Sequence, residues 1–180
     1  MTYDEANNRL VHCDSYSKMD EILRLAKDYW GPSELWLRIL GECWSGCDNI
    51  FAYKNILKNL MPQEGPVLEM MSDDELAVYE TLPDTVTIYR GCGKKNKNGA
   101  SWSLDRDVAA KFPFLNRYQV DNPMLVTAKV KKCHVLAVKL CRNESEVITF
   151  NAKPVKVEPL NDSIKDVIKK YAAETTATIQ

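Results

Sequence analysis

The stretch Thr85-Val86-Thr87-Ile88-Tyr89-Arg90, closed by Gly91-Cys92-Gly93, marks the point at which the residue pattern of the chain changes. Its alternating β-branched and aromatic side chains are typical of a β-strand, and the glycines end it. Before this stretch the apolar residues recur three or four positions apart, which indicates helices. After it, short strand patterns dominate. Helices followed by short strands predict an α+β fold.

Residues 1–84 are predicted to form an N-terminal helical region. Ser33 and Ser72 are suitable N-caps, and Gly31-Pro32 and Pro83 are suitable stops. The predicted helices span residues 19–30, 33–44, 50–60 and 72–82, whereas the polar residues 1–17 are predicted to be a loosely held lead-in. Three tryptophans are predicted to be core residues of this region without a chemical role: Trp30, Trp36 and Trp44.

Residues 85–180 are predicted to form a β core with a C-terminal helix. The predicted strands are 85–90, 100–104, 124–130, 134–138, 145–150 and 154–157. A short helix is predicted to begin at Asp105 and to end at Pro113, and a last helix to span 161–171 before a frayed tail. We therefore expect one domain overall, in which a helical region precedes a mixed β-sheet.

The 180-residue chain has no apolar run of the roughly 18 residues that cross a bilayer, and it does not begin like a signal peptide. We therefore expect a cytoplasmic protein without membrane contact. Its six cysteines are predicted to be free thiols, because a chain of this length does not need disulfides. Cys43 and Cys47 with His134 do not match a recognised zinc spacing, so no metal site is predicted.

The charge of the chain is divided unevenly along its length. Residues 1–85 contain 7 basic and 16 acidic residues, a net charge of −9, whereas residues 86–180 contain 17 and 9, a net charge of +8. The basic half favours an anionic ligand such as a dinucleotide or a nucleic-acid strand. The alternative is that the two halves complement each other across an internal interface.

Two carboxylates run directly into a predicted strand in Glu144-Ser145-Glu146-Val147-Ile148. In an extended chain Glu144 and Glu146 project to the same side, where they repel each other. Such a pair is tolerated where it faces water, meets a cation or performs acid–base chemistry. One interpretation is a strand edge protected by charge, and the other is a catalytic pair.

Three separated motifs occur in order: Tyr89-Arg90-Gly91, Ser101-Trp102-Ser103 and the Glu-x-Glu motif of Glu144 and Glu146. Together they resemble the ADP-ribosyltransferase family, whose signature is Arg, then Ser-Thr-Ser, then Glu-x-Glu. This family contains bacterial toxins, phage enzymes and ectoenzymes, and the resemblance covers about residues 85–158. The chain departs from the signature at Trp102, which replaces the middle threonine and is expected to be either a packing anchor or a wall against nicotinamide.

The resemblance implies a role for each motif residue in cleaving NAD, which is a substrate in this family. Glu146 would stabilise the positive charge that develops on the ribose. Ser101 would hold Glu146, and Ser103 would support the turn or cap the helix. Arg90 would bind the dinucleotide phosphates or ribose, the alternative being a structural salt bridge. Glu144 would orient or deprotonate the acceptor.

The resemblance also implies a cofactor-binding surface around these residues. Tyr89 would contact the dinucleotide, and Gly91 with Gly93 would let the backbone approach it closely. Phe114 or Tyr118 would stack on nicotinamide, whereas Phe112 is spaced like a helix-core residue.

The resemblance implies a mono-ADP-ribosyltransferase that transfers ADP-ribose from NAD to an acceptor, with a protein arginine favoured by the Glu-x-Glu pair. Two alternatives keep the site but change the acceptor, to a nucleic-acid base or to water, the latter giving an NAD glycohydrolase. A third alternative is a non-catalytic interaction module on the same fold. Its helical half would bind a partner, such as an inhibitory protein.

Overall fold

A computed structural model describes residues 1–115, 120–141 and 144–160 of the chain. It confirms the α+β class, with helices first and a sheet after them. The helices are α1 (Tyr3–Val11), α2 (Lys18–Leu25), α3 (Glu34–Cys43), α4 (Ile50–Leu60), α5 (Asp73–Glu80) and α6 (Arg106–Lys111). A π-helical turn (Ala26–Trp30) follows α2, and 3₁₀ turns occur at Trp44–Gly46, Leu68–Met70, Phe112–Phe114 and Lys132–His134. The helix predicted over 161–171 and the tail lie outside the described residues.

Helix α1 corrects the prediction that residues 1–17 are loosely held. The Thr2 hydroxyl accepts from the Glu5 N–H at 3.2 Å and the Glu5 carboxylate accepts from the Thr2 N–H at 2.7 Å, which forms a capping box. Ala6 and Leu10, four residues apart, are buried against the other helices. Two buried residues in a polar segment are too few to show as a periodic stripe in the sequence.

Six strands form one sheet in the order β4-β5-β2-β1-β3-β6. They are β1 (Thr85–Cys92), β2 (Ser101–Ser103), β3 (Met124–Lys131), β4 (Ala137–Lys139), β5 (Glu146–Ile148) and β6 (Lys153–Pro159). Each pairing between these described strands is antiparallel, so the prediction of a mixed sheet was wrong. For the pairs β1–β2 and β4–β5 the physical reason is the connection, which has 8 and 6 residues, whereas parallel neighbours need crossovers of about a dozen residues.

The register of the sheet brings the three motifs together. Ser103 of β2 lies opposite Tyr89 of β1 on one side and opposite Glu146 of β5 on the other. The three residues therefore form a row across three neighbouring strands, although they are far apart in sequence.

Different helices cover the two faces of the sheet. On one face Ala100, Ala137 and Ile148 share a buried core with residues of α1 to α4. On the other face Trp102 and Val147 pack in a second core that includes Tyr79 of α5. Because side chains alternate along a strand, Ser101 and Ser103 point away from this second core, toward the face that the N-terminal helices cover.

A buried ion pair joins α5 to β4, the strand beside Glu146. The Lys139 ammonium donates to Glu75 at 2.6 Å and to the Met70 carbonyl at 2.8 Å. The Glu75 carboxylate also accepts from the Leu140 N–H at 3.0 Å. Lys139 lies opposite Glu146 in the register of β4 and β5, so this pair stabilises the strand that borders the motif carboxylate.

All six cysteines are free thiols, as predicted. Among the described residues no group of three or more His, Cys, Asp or Glu side chains is arranged to hold a metal ion. The helices of the described ranges include none that is long and apolar enough to cross a bilayer.

Candidate functional site

A cleft opens on the sheet face that carries Ser101 and Ser103. Its floor includes β1 and β2 residues together with the two carboxylates: Tyr89, Arg90, Gly91, Ser101, Ser103, Glu144 and Glu146. One wall comes from the N-terminal helical region and includes Trp44, Ser45, Ile50 and Phe51. The opposite wall comes from the end of α6 and the turn after it, and includes Ala109, Phe112 and Pro113. All three motifs therefore contribute to one cleft.

Both oxygens of the Glu146 carboxylate are hydrogen-bonded by residues of the helical region. The Trp44 indole N–H donates to Oε1 at 3.0 Å, and the Ser45 hydroxyl donates to Oε2 at 3.1 Å. The same indole N–H lies 3.2 Å from the Ser101 hydroxyl oxygen. Ser101 can therefore accept from Trp44 and direct its own proton toward Glu146, as expected for the residue that holds this carboxylate.

The ionisation of Glu146 is set by opposing influences. Burial raises the pKa of Glu146, and it outweighs the hydrogen bonds of Ser101, Trp44 and Ser45 and the positive charge of Arg90, all of which lower it. The site therefore contains a carboxylate that is held in place by several donors but is reluctant to ionise. A perturbed carboxylate in a cleft is typical of functional sites.

Glu144 reaches the cleft by a route that the sequence did not predict. The strand begins only at Glu146, and Ser145 has a φ of +42°, in the left-handed region that non-glycine residues rarely adopt. The prediction that an extended chain aligns the two carboxylates was therefore wrong in its geometry. Glu144 and Glu146 nevertheless line the same cleft, because the turn at Ser145 redirects the chain.

Ser103 supports the backbone of this turn. Its hydroxyl donates to the Glu144 carbonyl at 2.9 Å and accepts from the Asp105 N–H at 3.0 Å. The cap of α6 is Asp105, whose carboxylate accepts from the N–H groups of Asp107 and Val108 at 2.7 and 3.0 Å. Of the two roles expected for Ser103, it performs turn support and not capping.

Arg90 is half-buried and holds the loop that connects β1 to β2. Its Nε donates to the Asn96 carbonyl at 3.1 Å, and its Nη1 donates to the Ser101 carbonyl. Burial lowers the pKa of Arg90. Arg90 forms no ion pair with another described residue, so the structural salt bridge that was its alternative role is not seen in the described part of the chain. Among the residues that the structure describes, these two hydrogen bonds use two of its five N–H donors.

Gly99 and Lys54 complete the surroundings of the Arg90 guanidinium. A Cβ on Gly99 would overlap the guanidinium carbon, so the absence of a side chain there lets the arginine lie against the loop. The Lys54 ammonium of α4 donates to the Asn98 carbonyl. Burial lowers the pKa of Lys54, and the positive charges of Lys58 and Arg90 lower it further.

Trp102 is a packing anchor, one of the two roles expected for it. Its side chain is 3% exposed, and its indole N–H donates to the Gly99 carbonyl at 3.0 Å. Gly91 is required for packing as well, because a Cβ there would overlap the Ala109 carbonyl oxygen. This contact with α6 accounts for the glycine without a bound cofactor.

The aromatic residue on the far wall is Phe112, which was predicted to be only a core residue. Phe114 packs instead against a small cluster that includes Leu125 and Leu160, and it is not among the residues that line the cleft. Both residues lie in a single 3₁₀ turn, Phe112–Phe114. The spacing of a regular α-helix therefore could not predict which of the two side chains faces the cleft. Tyr118, the other candidate, lies outside the described residues.

The thiols near the cleft are poor candidates for nucleophiles. Cys47 lines the cleft, but burial raises its pKa to about 12, and burial also raises the pKa of Cys92. A thiol must ionise to be strongly nucleophilic, so both residues are un-ionised at neutral pH. These thiols are therefore weaker candidates for chemistry than the carboxylates that line the cleft.

Sequence reasoning missed Trp44 and Ser45. Trp44 is fully buried, as predicted, and its indole N–H also donates to Glu146, a contact that the sequence did not predict. Its partner Glu146 lies 102 residues further along the chain, beyond the reach of any local pattern. The available signal was that a buried tryptophan usually finds an acceptor for its N–H, and a carboxylate is a strong one.

Comparison of the chain with models of protein families, with curated proteins and with solved structures finds no match. The case for a function therefore depends on the residues and geometry of the cleft.

Proposed function

We propose that the protein is an ADP-ribosyltransferase that cleaves NAD at the bond between nicotinamide and ribose and transfers ADP-ribose to an acceptor. The observation that carries this proposal is the Glu146 carboxylate, fixed by Trp44 and Ser45 on the floor of a cleft that also contains Arg90. The order and strand context of the three motifs support the same function.

The reaction requires a fixed negative charge. Breaking the nicotinamide–ribose bond leaves a positive, oxocarbenium-like ribose, and a carboxylate beside it stabilises that charge. Such stabilisation is effective when the group is already oriented, because no reorganisation is needed as the charge develops. The hydrogen bonds to both oxygens of Glu146 provide this orientation.

Glu146 acts in its ionised form in this scheme. Burial raises its pKa, and the donors Trp44, Ser45 and Ser101, together with Arg90, limit that rise. NAD cleavage should therefore increase with pH as Glu146 loses its proton.

The dimensions of the cleft suit one ring of the substrate. About 160 Å³ of its space is open to water, and a cavity of roughly 150 Å³ is known to hold benzene in another protein. Nicotinamide would occupy this space beside Phe112. The Arg90 guanidinium in the cleft lining, and Lys54 at the neighbouring loop, would face the diphosphate, which binds favourably to such cations.

The acceptor of the leading proposal is a protein arginine. Glu144 lines the same cleft as Glu146, and in this proposal its carboxylate would orient a guanidinium or accept a proton from it. Water is the alternative acceptor at the same position and would make the protein an NAD glycohydrolase.

One observation favours a nucleic-acid acceptor as the second candidate. The loop that Arg90 holds carries three exposed lysines, Lys94, Lys95 and Lys97, beside the cleft. Exposed cations of this kind attract phosphate backbones. A nucleic-acid base would then be presented to the same carboxylates.

The test uses NAD labelled in its adenylate portion and the full-length chain. Parallel reactions contain lysate protein, an arginine-rich peptide, single-stranded DNA, RNA or no acceptor, and nicotinamide release is measured in each. Label on protein supports the leading proposal, label on nucleic acid supports the second candidate, and free ADP-ribose alone supports hydrolysis. An absence of nicotinamide release in every reaction would contradict the proposed enzyme and favour a non-catalytic module.

A further inference from the structure

The N-terminal helical region supplies two side chains that contact the Glu146 carboxylate: Trp44 and Ser45, in the 3₁₀ turn after α3. We propose that Trp44 and Ser45 are positioning residues for NAD cleavage, which hold the Glu146 carboxylate oriented and favour its ionised form. This inference is based on the proposed function. It makes the helical region part of the active site, and not a separate recognition module.

Trp44 is suited to this task because its N–H cannot move away. The side chain is fully buried in the core that α1 to α4 share with the sheet. An indole N–H is only a donor, so it cannot reverse its hydrogen bond as a hydroxyl can. Its location 3.0 Å from Glu146 and 3.2 Å from the Ser101 oxygen lets one rigid group orient both residues.

Ser45 fixes the second carboxylate oxygen. Its hydroxyl donates to Oε2 at 3.1 Å, whereas Trp44 donates to Oε1, so rotation of the carboxylate would break a hydrogen bond on either side. The turn that carries both donors follows α3, whose side chains Trp36, Ile39 and Leu40 are fully buried. A well-packed helix therefore sets the position of the donors.

The inference predicts a change that a purely structural residue would not cause. Both donors stabilise the carboxylate anion, so they lower the pKa of Glu146 against the effect of burial. Removing either donor should raise that pKa. The rising limb of the pH–rate profile should then move to higher pH, and some of the lost activity should return in alkaline solution.

The experiment compares Trp44→Phe and Ser45→Ala with a matched control, Trp36→Phe. Trp36 is equally buried, and its indole N–H donates to the Ile22 carbonyl at 2.8 Å, within the helical region. At neutral pH we expect kcat to fall about tenfold to a hundredfold in Trp44→Phe with little change in KM for NAD. Trp36→Phe should lose stability but retain the wild-type pH profile. Equal loss of activity at every pH in Trp44→Phe would overturn the inference.

A second measurement separates this inference from the proposed function. The titration of the Glu146 carboxyl is followed by infrared spectroscopy without NAD, and its band is identified by its absence in Glu146→Gln. We expect the titration to move to higher pH in Trp44→Phe and Ser45→Ala but not in Trp36→Phe. If it does not move, the inference fails even if the wild-type protein cleaves NAD. If it moves while the wild-type protein releases no nicotinamide, the positioning contacts are supported and the proposed function fails.

Discussion

Arg90→Lys tests whether the guanidinium fork, and not only its charge, is needed in the site. The arginine donates to the carbonyls of Asn96 and Ser101 at once, from two different nitrogens. A lysine ammonium has the same charge but lacks the planar fork, so we expect it to bond only one of the two carbonyls. The hydrogen bond to the other carbonyl is then lost.

The expected cost follows from that single lost contact. A hydrogen bond from a charged group contributes about 1.5–3 kcal/mol, so the free energy of unfolding should fall by about 2 kcal/mol. The β1–β2 loop should loosen, and the donors that Arg90 would offer to the diphosphate should shift with it. A loss of one good hydrogen bond predicts about a tenfold weaker affinity for NAD.

Urea denaturation and calorimetric NAD titration of the same protein samples measure both effects. The control is Arg38→Lys, because Arg38 forms an exposed ion pair with Glu42 at 3.0 Å, and such pairs contribute little. Its stability should change by less than about 0.5 kcal/mol. Wild-type stability in Arg90→Lys would refute the reasoning about the carbonyl contacts. Reduced stability with unchanged NAD affinity would assign Arg90 a purely structural role.

Two further predictions concern the acceptor and the support of β4. Glu144→Gln should largely abolish transfer to protein while some NAD hydrolysis remains, because attack by water depends less on a dedicated base. Transfer to protein and release of free ADP-ribose are measured in the same reaction. Lys139→Met should lower the free energy of unfolding by about 3–5 kcal/mol, because it leaves the Glu75 carboxylate buried and unpaired. Burial raises the pKa of Glu75, but Lys139 and the backbone donors lower it by more than burial raises it. The net result is a pKa below the ordinary value of 4.5. This stabilisation is complete above about pH 4.5 and disappears as the pH falls through the lowered pKa, which urea denaturation between pH 7 and 3 would show.

Each of these predictions has an outcome that contradicts it. If Glu144→Gln reduces transfer and hydrolysis equally, Glu144 supports Glu146 or the substrate and does not act on the acceptor. For Lys139→Met the comparison is Arg38→Met, at the exposed pair with Glu42, which should cost less than about 1 kcal/mol. If Lys139→Met and Arg38→Met lower the free energy of unfolding equally, burial does not strengthen the ion pair of Lys139 with Glu75.

The sequence predicted most of the fold because apolar residues recur with clear helical or strand spacing in most of the buried elements. Ile88 and Val86 alternate with exposed threonines in β1, and Ser33 and Ser72 cap helices as expected. Helix α1 was missed because its buried face is limited to Ala6 and Leu10. Antiparallel pairing was also not predicted, since the strand patterns alone do not specify which neighbours pair.

The site was predicted in its residue types but not in its geometry. The motifs placed Arg90, Ser101 and Glu146 in one cleft, as the structure shows. They did not reveal that Arg90 bonds the loop carbonyls, or that Trp44 and Ser45 hold the carboxylate. These contacts join residues from distant parts of the chain, so they depend on tertiary packing and leave no local pattern.

The central claim, that Glu146 stabilises the developing charge on ribose, is tested most directly by Glu146→Gln. The amide keeps the shape of the side chain, and the Ser45 hydroxyl can rotate to accept from it, so folding and NAD binding should remain close to wild type. Nicotinamide release under saturating NAD should fall at least about a hundredfold, because only the negative charge is removed. The exposed Glu42→Gln serves as the control and should retain full activity. Release within a few-fold of wild type in Glu146→Gln, with NAD still bound, would contradict the account.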